Sequence, residues 1–142
     1  MNDPYNLSRF VEAQNGGYVG VVKELKQGCK TGHWMWYIFP QIKGLGYSEV
    51  SRRYSISSLD EAGAYTEHPL LGPRLIECIE SVMAVEGKSA EEIFGYPDYL
   101  KFRSCLTLFA AASQTNTIYQ EALDKFFDQA PDPLTMRALQ IS

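Results

Sequence analysis

Any chemistry in this chain has to come from a small set of side chains. His33, Trp34, Trp36 and Gln41 fall in one run, His33-Trp34-Met35-Trp36-Tyr37-Ile38-Phe39-Pro40-Gln41, in which four of nine residues are aromatic. Aromatic faces beside an imidazole and a carboxamide suit a pocket for a planar base or a sugar, because the rings supply contact area and the polar groups fix orientation. The same run also reads as plain core: aromatics dominate burial, and each indole N–H needs only one partner. The residue types alone leave both readings open.

The cations form a second group. Arg103 lies in a largely apolar stretch with Ser104 and Thr107, and helical spacing puts the three on one face. An unpaired buried guanidinium is very costly, so Arg103 must meet a carboxylate, helix-end carbonyls or a ligand anion. Glu61, Glu77 and Asp98 are the internal candidates. On the ligand reading, Arg53, Lys101 and Arg103 contact a phosphate or carboxylate, since guanidinium offers a bidentate fit. Arg52 and Arg74 are further candidates. Arg52 and Arg53 are adjacent, so they cannot both face inward from one helix. Glu61 is the candidate acid/base and His33 its candidate catalytic companion. No metal and no cofactor is signalled: the two histidines and Cys29, Cys78 and Cys105 are scattered, without a CxxC pair.

These groups must be carried by helices. Asp3-Pro4 is a helix start, and Leu7, Phe10, Val11 and Gln14 follow at helical spacing. Gly16-Gly17 and Gly28 bracket a second helix over about 18–27. Ser48 opens a short helix. Ser58-Leu-Asp-Glu61 and Ser89-Ala-Glu-Glu92 are capping boxes, the first for a helix over about 59–67. Leu71, Leu75, Ile79, Val82 and Met83 form the stripe of an amphipathic helix over about 70–86, and His68 is placed to cap a helix end. A helix over about 98–113 is apolar nearly all round, which makes it central. Helices near 119–126 and 132–139 complete the chain. Only residues 33–39 are ambiguous between helix and strand. The expectation is an all-α fold: one domain over residues 1–142, of seven to nine mostly short helices around the 98–113 helix.

Composition narrows the partners. With 13 Lys+Arg against 17 Asp+Glu, the net charge of −4 gives no general basic field for nucleic acid. The apolar runs are far shorter than the roughly 20 residues a membrane span needs, and the N-terminus lacks a secretory signal pattern. The expectation is a soluble cytoplasmic protein that meets a small molecule, neither nucleic acid nor membrane. Its oligomeric state is left open.

The motifs carry a resemblance. Asp3-Pro-Tyr-Asn-Leu-Ser-Arg-Phe-Val-Glu-Ala-Gln14, the His33–Gln41 run, Gly44-Leu-Gly46, Arg53-Tyr-Ser-Ile56, His68-Pro-Leu-Leu-Gly-Pro-Arg-Leu75, Ile93-Phe-Gly95 and Leu100-Lys-Phe-Arg-Ser104 resemble the bacterial family known as domain of unknown function 1810. That resemblance implies an all-α fold and supplies no reaction. Gly32-His-Trp-Met-Trp-Tyr37, Lys43, Gly46 and Asp60-Glu61-Ala62 are more faintly similar to the NADAR family, which implies N-glycoside hydrolysis of ADP-ribose-like compounds. Where that family has Glu before the His, this chain has Gly32, and the family's later acidic motif ahead of Trp-Gly has no counterpart. The leading expectation is a pocket for a nucleotide- or sugar-phosphate-like ligand, with N-glycoside hydrolysis as its catalytic extension. His33, Trp34, Trp36 and Gln41 would be walls, Arg53, Lys101 and Arg103 anion contacts, and Glu61 the acid/base. The alternative is a non-enzymatic protein-interaction module.

Overall fold

Serines start three of the helices. Ser48, Ser58 and Ser89 sit in extended backbone, and each side chain accepts the N–H three residues on, from Ser51, Glu61 and Glu92. Only Ser89 completes the capping box, with the Glu92 carboxylate accepting its N–H. Glu61 turns its carboxylate elsewhere, a departure that matters below. His68 Nδ1 accepts the N–H groups of Leu70 and Leu71, which caps the start of the longest amphipathic helix.

The computed structural model describes residues 2–113 and 115–140, so the expected 1–142 domain also takes in Met1, Gln114, Ile141 and Ser142, which lie outside the described residues. Ten helices lie among the described residues: α1 (Ser8–Asn15), α2 (Tyr18–Gln27), α3 (Met35–Ile38), α4 (Glu49–Arg53), α5 (Leu59–Glu67), α6 (Leu71–Met83), α7 (Ala90–Phe94), α8 (Asp98–Ala112), α9 (Ile118–Phe127) and α10 (Pro133–Ala138). The fold is all-α. Nine helices fall where periodicity and caps place them, and the tenth, α3, is one turn made from the ambiguous aromatic run. The first helix begins later than Asp3-Pro4 suggests. Asn6 takes a left-handed φ of 52°, and the Asp3 carboxylate reaches forward to the N–H groups of Leu7 and Ser8.

The core lies around α8. Phe102, Cys105, Leu106, Leu108 and Phe109 are wholly buried, and α8 packs on α5, α7, α9 and α10. A helix enclosed on all sides can be apolar all round without solubility cost. The α6 stripe of Leu71, Leu75, Ile79 and Val82 is buried as the sequence predicts. Where α6 meets the end of α5, Gly72 is required: a Cβ there would lie 2.2 Å from the Thr66 carbonyl oxygen. The buried apolar residues form one cluster, which includes Trp34 but not Trp36.

Outside the helices one short contact shapes the site. Ile42 and Ile56 form an isolated parallel bridge, in which the Ile56 N–H donates to the Gln41 carbonyl at 2.8 Å and the Lys43 N–H to the Ile56 carbonyl at 2.9 Å. The bridge ties the segment after α3 to the segment after α4, so the loop between them must bow outward.

Candidate functional site

The aromatic run divides between its two tryptophans. Trp34 belongs to the core, with 4% of its surface exposed and its ring 6.2 Å from that of Phe39. Its indole N–H donates to Glu24 Oε1 at 3.1 Å, and the same oxygen accepts the amides of Thr31 and Gly32. Burial pushes the Glu24 carboxyl up, but these donors outweigh it and hold the group below the usual glutamate range. Gly32 is what lets the indole lie there, since a Cβ at that position would come within 2.7 Å of Trp34 Cδ1. The position that carries Glu in the NADAR family therefore has no room for a side chain here.

Trp36 is different. It is half-buried, yet its Nε1 is enclosed and makes no hydrogen bond, the one buried side-chain nitrogen or oxygen in that condition among the described residues. Buried donors are nearly always paired, so such an atom calls for an explanation. Lys101 Nζ stands 5.0 Å from the Trp36 ring centroid, as Lys30 Nζ does from that of Trp34. Asp98 holds both lysines, at 3.5 Å from Lys101 and 2.8 Å from Lys30.

Trp36 forms one wall of a cavity of about 250 Å³ in the bowed loop. Tyr54, at the end of α4, and Tyr47 are the other aromatic walls, with Gln41, Lys43, Ser51 and Arg52 among the polar ones. Tyr47 is 82% exposed and stands at the rim. Gly44, with a φ of 96°, turns the loop, and Gly46 leaves the space that Ser51 fills. An adjoining hollow of about 450 Å³ is bordered by Arg9, Arg52, Arg53, Ser57 and Glu61, and shares Arg52 and Ser55 with the cavity.

The predicted site residues are thus only partly brought together. Trp36 and Gln41 line the cavity, and Lys101 covers the Trp36 ring. Arg53 and Glu61 border the adjoining hollow. Glu61 is 2% exposed and fully engaged: Oε2 accepts Arg9 Nη2 at 2.8 Å, and Oε1 accepts the Ser57 N–H and hydroxyl. His33 is exposed and lines neither space, and Trp34 is core. Arg103 meets carbonyls, those of Ala130 and Pro131 at 3.0 and 2.8 Å. Ser104 and Thr107 act with it, through the Asp132 carboxylate and N–H. The polar stripe of α8 is therefore a clamp on the segment that enters α10. Asp98, a candidate partner for Arg103, serves the two lysines instead.

Sequence reasoning missed Tyr47, Ser51, Tyr54 and Ser55 as cavity residues, and Arg9 as the partner of Glu61. The signal was the Gly44-Leu-Gly46 turn, which had to throw a loop back over the aromatic run. Arg9 gave no such signal, because four of its five partners, Tyr5, Asn6, Arg53 and Ser55, are met through backbone carbonyls, and the fifth is Glu61. Among the described residues no group of His, Cys, Asp or Glu side chains is arranged to hold a metal ion, and no helix is long and apolar enough to cross a membrane.

An all-α domain with its candidate site in one interhelical loop matches an existing family model, "Protein of unknown function (DUF1810)", over residues 4–139, and the chain belongs to that family. It is similar to the conserved hypothetical protein Rv1873 from Mycobacterium tuberculosis, known from a crystal structure at 1.38 Å. The two share 51% identity and a TM-score of 0.96, over 99% of this chain and 100% of that one. No curated protein matches the sequence.

Proposed function

We propose that the Trp36 cavity is a small-molecule site of a cytoplasmic binding domain, taking a nucleotide- or sugar-phosphate-like ligand. The observation that carries this reading is the loop cavity walled by the Trp36 and Tyr54 rings, beside which the Trp36 N–H is enclosed and unpartnered. Trp36 and Tyr54 offer faces to a planar ring, Gln41 a carboxamide to its edge, and Lys43 and Arg52 positive charge to an anion. The net negative charge of the chain favours a small anion held locally over nucleic acid.

N-glycoside cleavage would need a carboxylate at the reacting carbon. Glu61 borders the neighbouring hollow with both oxygens occupied, so binding, not hydrolysis, is the reading put forward. The protein-interaction alternative also loses its apolar patch of paired tryptophans, since Trp34 lies in the core.

The test is a thermal-shift screen with ADP-ribose, NAD and AMP on the natural chain and on Trp36→Phe. Ligand at about 100 times its Kd stabilises the folded state by about 2.7 kcal/mol, and the expected result is a rise in Tm that Trp36→Phe reduces. No shift at millimolar ligand counts against the reading. Release of free base, followed by chromatography, would restore the hydrolytic one.

A further inference from the structure

We infer that the Trp36 cavity and the adjoining arginine hollow are one bipartite site, and that its ligand carries a diphosphate or an equivalent pair of anionic groups. The inference rests on the reading of the cavity as a ligand site and extends it to a second subsite. Size gives the first argument. Pockets that enclose drug-sized ligands span about 300–1,000 Å³, and the cavity alone, at about 250 Å³, holds a ring and little more. A ligand larger than one ring system would continue outward, and the hollow of about 450 Å³ that shares Arg52 and Ser55 is the charged continuation. On the Lys43 side a third space of about 300 Å³ is lined by Leu59, Ala138 and Leu139 beside Lys43, Ser57 and Ser58, and no arginine borders it.

Charge gives the second argument. Arg9 and Glu61 cancel each other at 2.8 Å, and the remaining Glu61 oxygen is taken by Ser57. Every Arg9 nitrogen is spent on Tyr5, Asn6, Arg53, Ser55 or Glu61, so Arg9 is scaffold, and it fixes the backbone of Arg53 and Ser55. That leaves the guanidinium groups of Arg52 and Arg53, both exposed and without an ion pair or side-chain hydrogen bond among the described residues. Two adjacent guanidiniums without an anionic partner among the described residues, that of Arg53 lying 5.7 Å from the Tyr54 ring centroid, form in a molecule of net charge −4 a local field suited to a group with more than one negative charge. Arg52 would contact the anion nearer the cavity, and Arg53 the outer one.

The probe is inorganic pyrophosphate, titrated calorimetrically at fixed ionic strength into the natural chain, Arg52→Gln/Arg53→Gln and Trp36→Phe, with inorganic phosphate as comparison. Both arginines are exposed, so the double variant should keep the fold, as checked by its Tm. The expected result is pyrophosphate binding tighter than phosphate, weakened at least roughly ten-fold in the arginine variant. Pyrophosphate that fails to bind at millimolar concentration, or binds the arginine variant equally well, overturns the inference. A parallel AMP titration separates the two readings. Trp36-dependent AMP binding without pyrophosphate binding leaves the cavity standing and removes the subsite. Arginine-dependent pyrophosphate binding without AMP binding does the reverse.

Discussion

Two tryptophans, two residues apart, have nearly the same cation and opposite fates. Each ring has a lysine ammonium 5.0 Å from its centroid, and Asp98 anchors both lysines. The Trp34 N–H is answered by Glu24, whereas the Trp36 N–H is answered by nothing in the protein. The start of a one-turn helix falls between them: Trp34 is the N-cap of α3 and packs inward toward Phe39, whereas Trp36 lies inside α3 and faces the loop cavity. The difference teaches that a buried aromatic proves little about function. An enclosed donor without a partner is the sharper mark, because a packed core would not retain it without cost.

The comparison can be broken at either end. Trp34→Ala should lower stability by about 3–5 kcal/mol in urea unfolding, the usual loss for a large buried aromatic. A loss like that of an ordinary surface change would place Trp34 outside the core. Glu24→Gln should cost about 1–2 kcal/mol, because three donors lose a charged acceptor. Its pH dependence has a definite sign. The Glu24 carboxyl is held below its unfolded value, so its contribution is present above the usual glutamate range and is lost as pH falls through the folded value. Glu24→Gln should remove that part of the acid destabilisation, and an unchanged acid limb would show that Glu24 is not its source. Trp36→Phe should fall within about 0.5 kcal/mol of the natural chain while losing ligand affinity, since the substitution deletes a donor that holds nothing in the protein. A larger stability loss would make Trp36 a second Trp34.

The helices were legible because their signals are local. Ser48, Ser58 and Ser89 mark three starts, and the α6 stripe and the apolar α8 mark what is buried. Of the candidate site, Trp36 and Gln41 at the cavity and Arg52 and Arg53 at the hollow were legible. Glu61 shows why the rest was hidden. Its spacing from Ser58 predicts a reciprocal cap, but Glu61 is buried, and a buried carboxylate needs a charged partner, which Arg9 supplies from 52 residues away in the chain. Arg103 shows the same in reverse: the need for a partner could be read, but its answer, the carbonyls of Ala130 and Pro131, carries no side-chain signature. Contacts to remote backbone leave no trace in residue type.

The clamp on α8 also has a consequence for synthesis. Residues 98–112 leave the ribosome before residues 130–135, yet Arg103 finds its carbonyl partners, and Ser104 and Thr107 their Asp132 contacts, in that later segment. Until it arrives, the α8 stripe faces water and the helix lacks the cover of α10. The helix at the centre of the core therefore stays unfinished on the nascent chain until residues 130–135 have emerged.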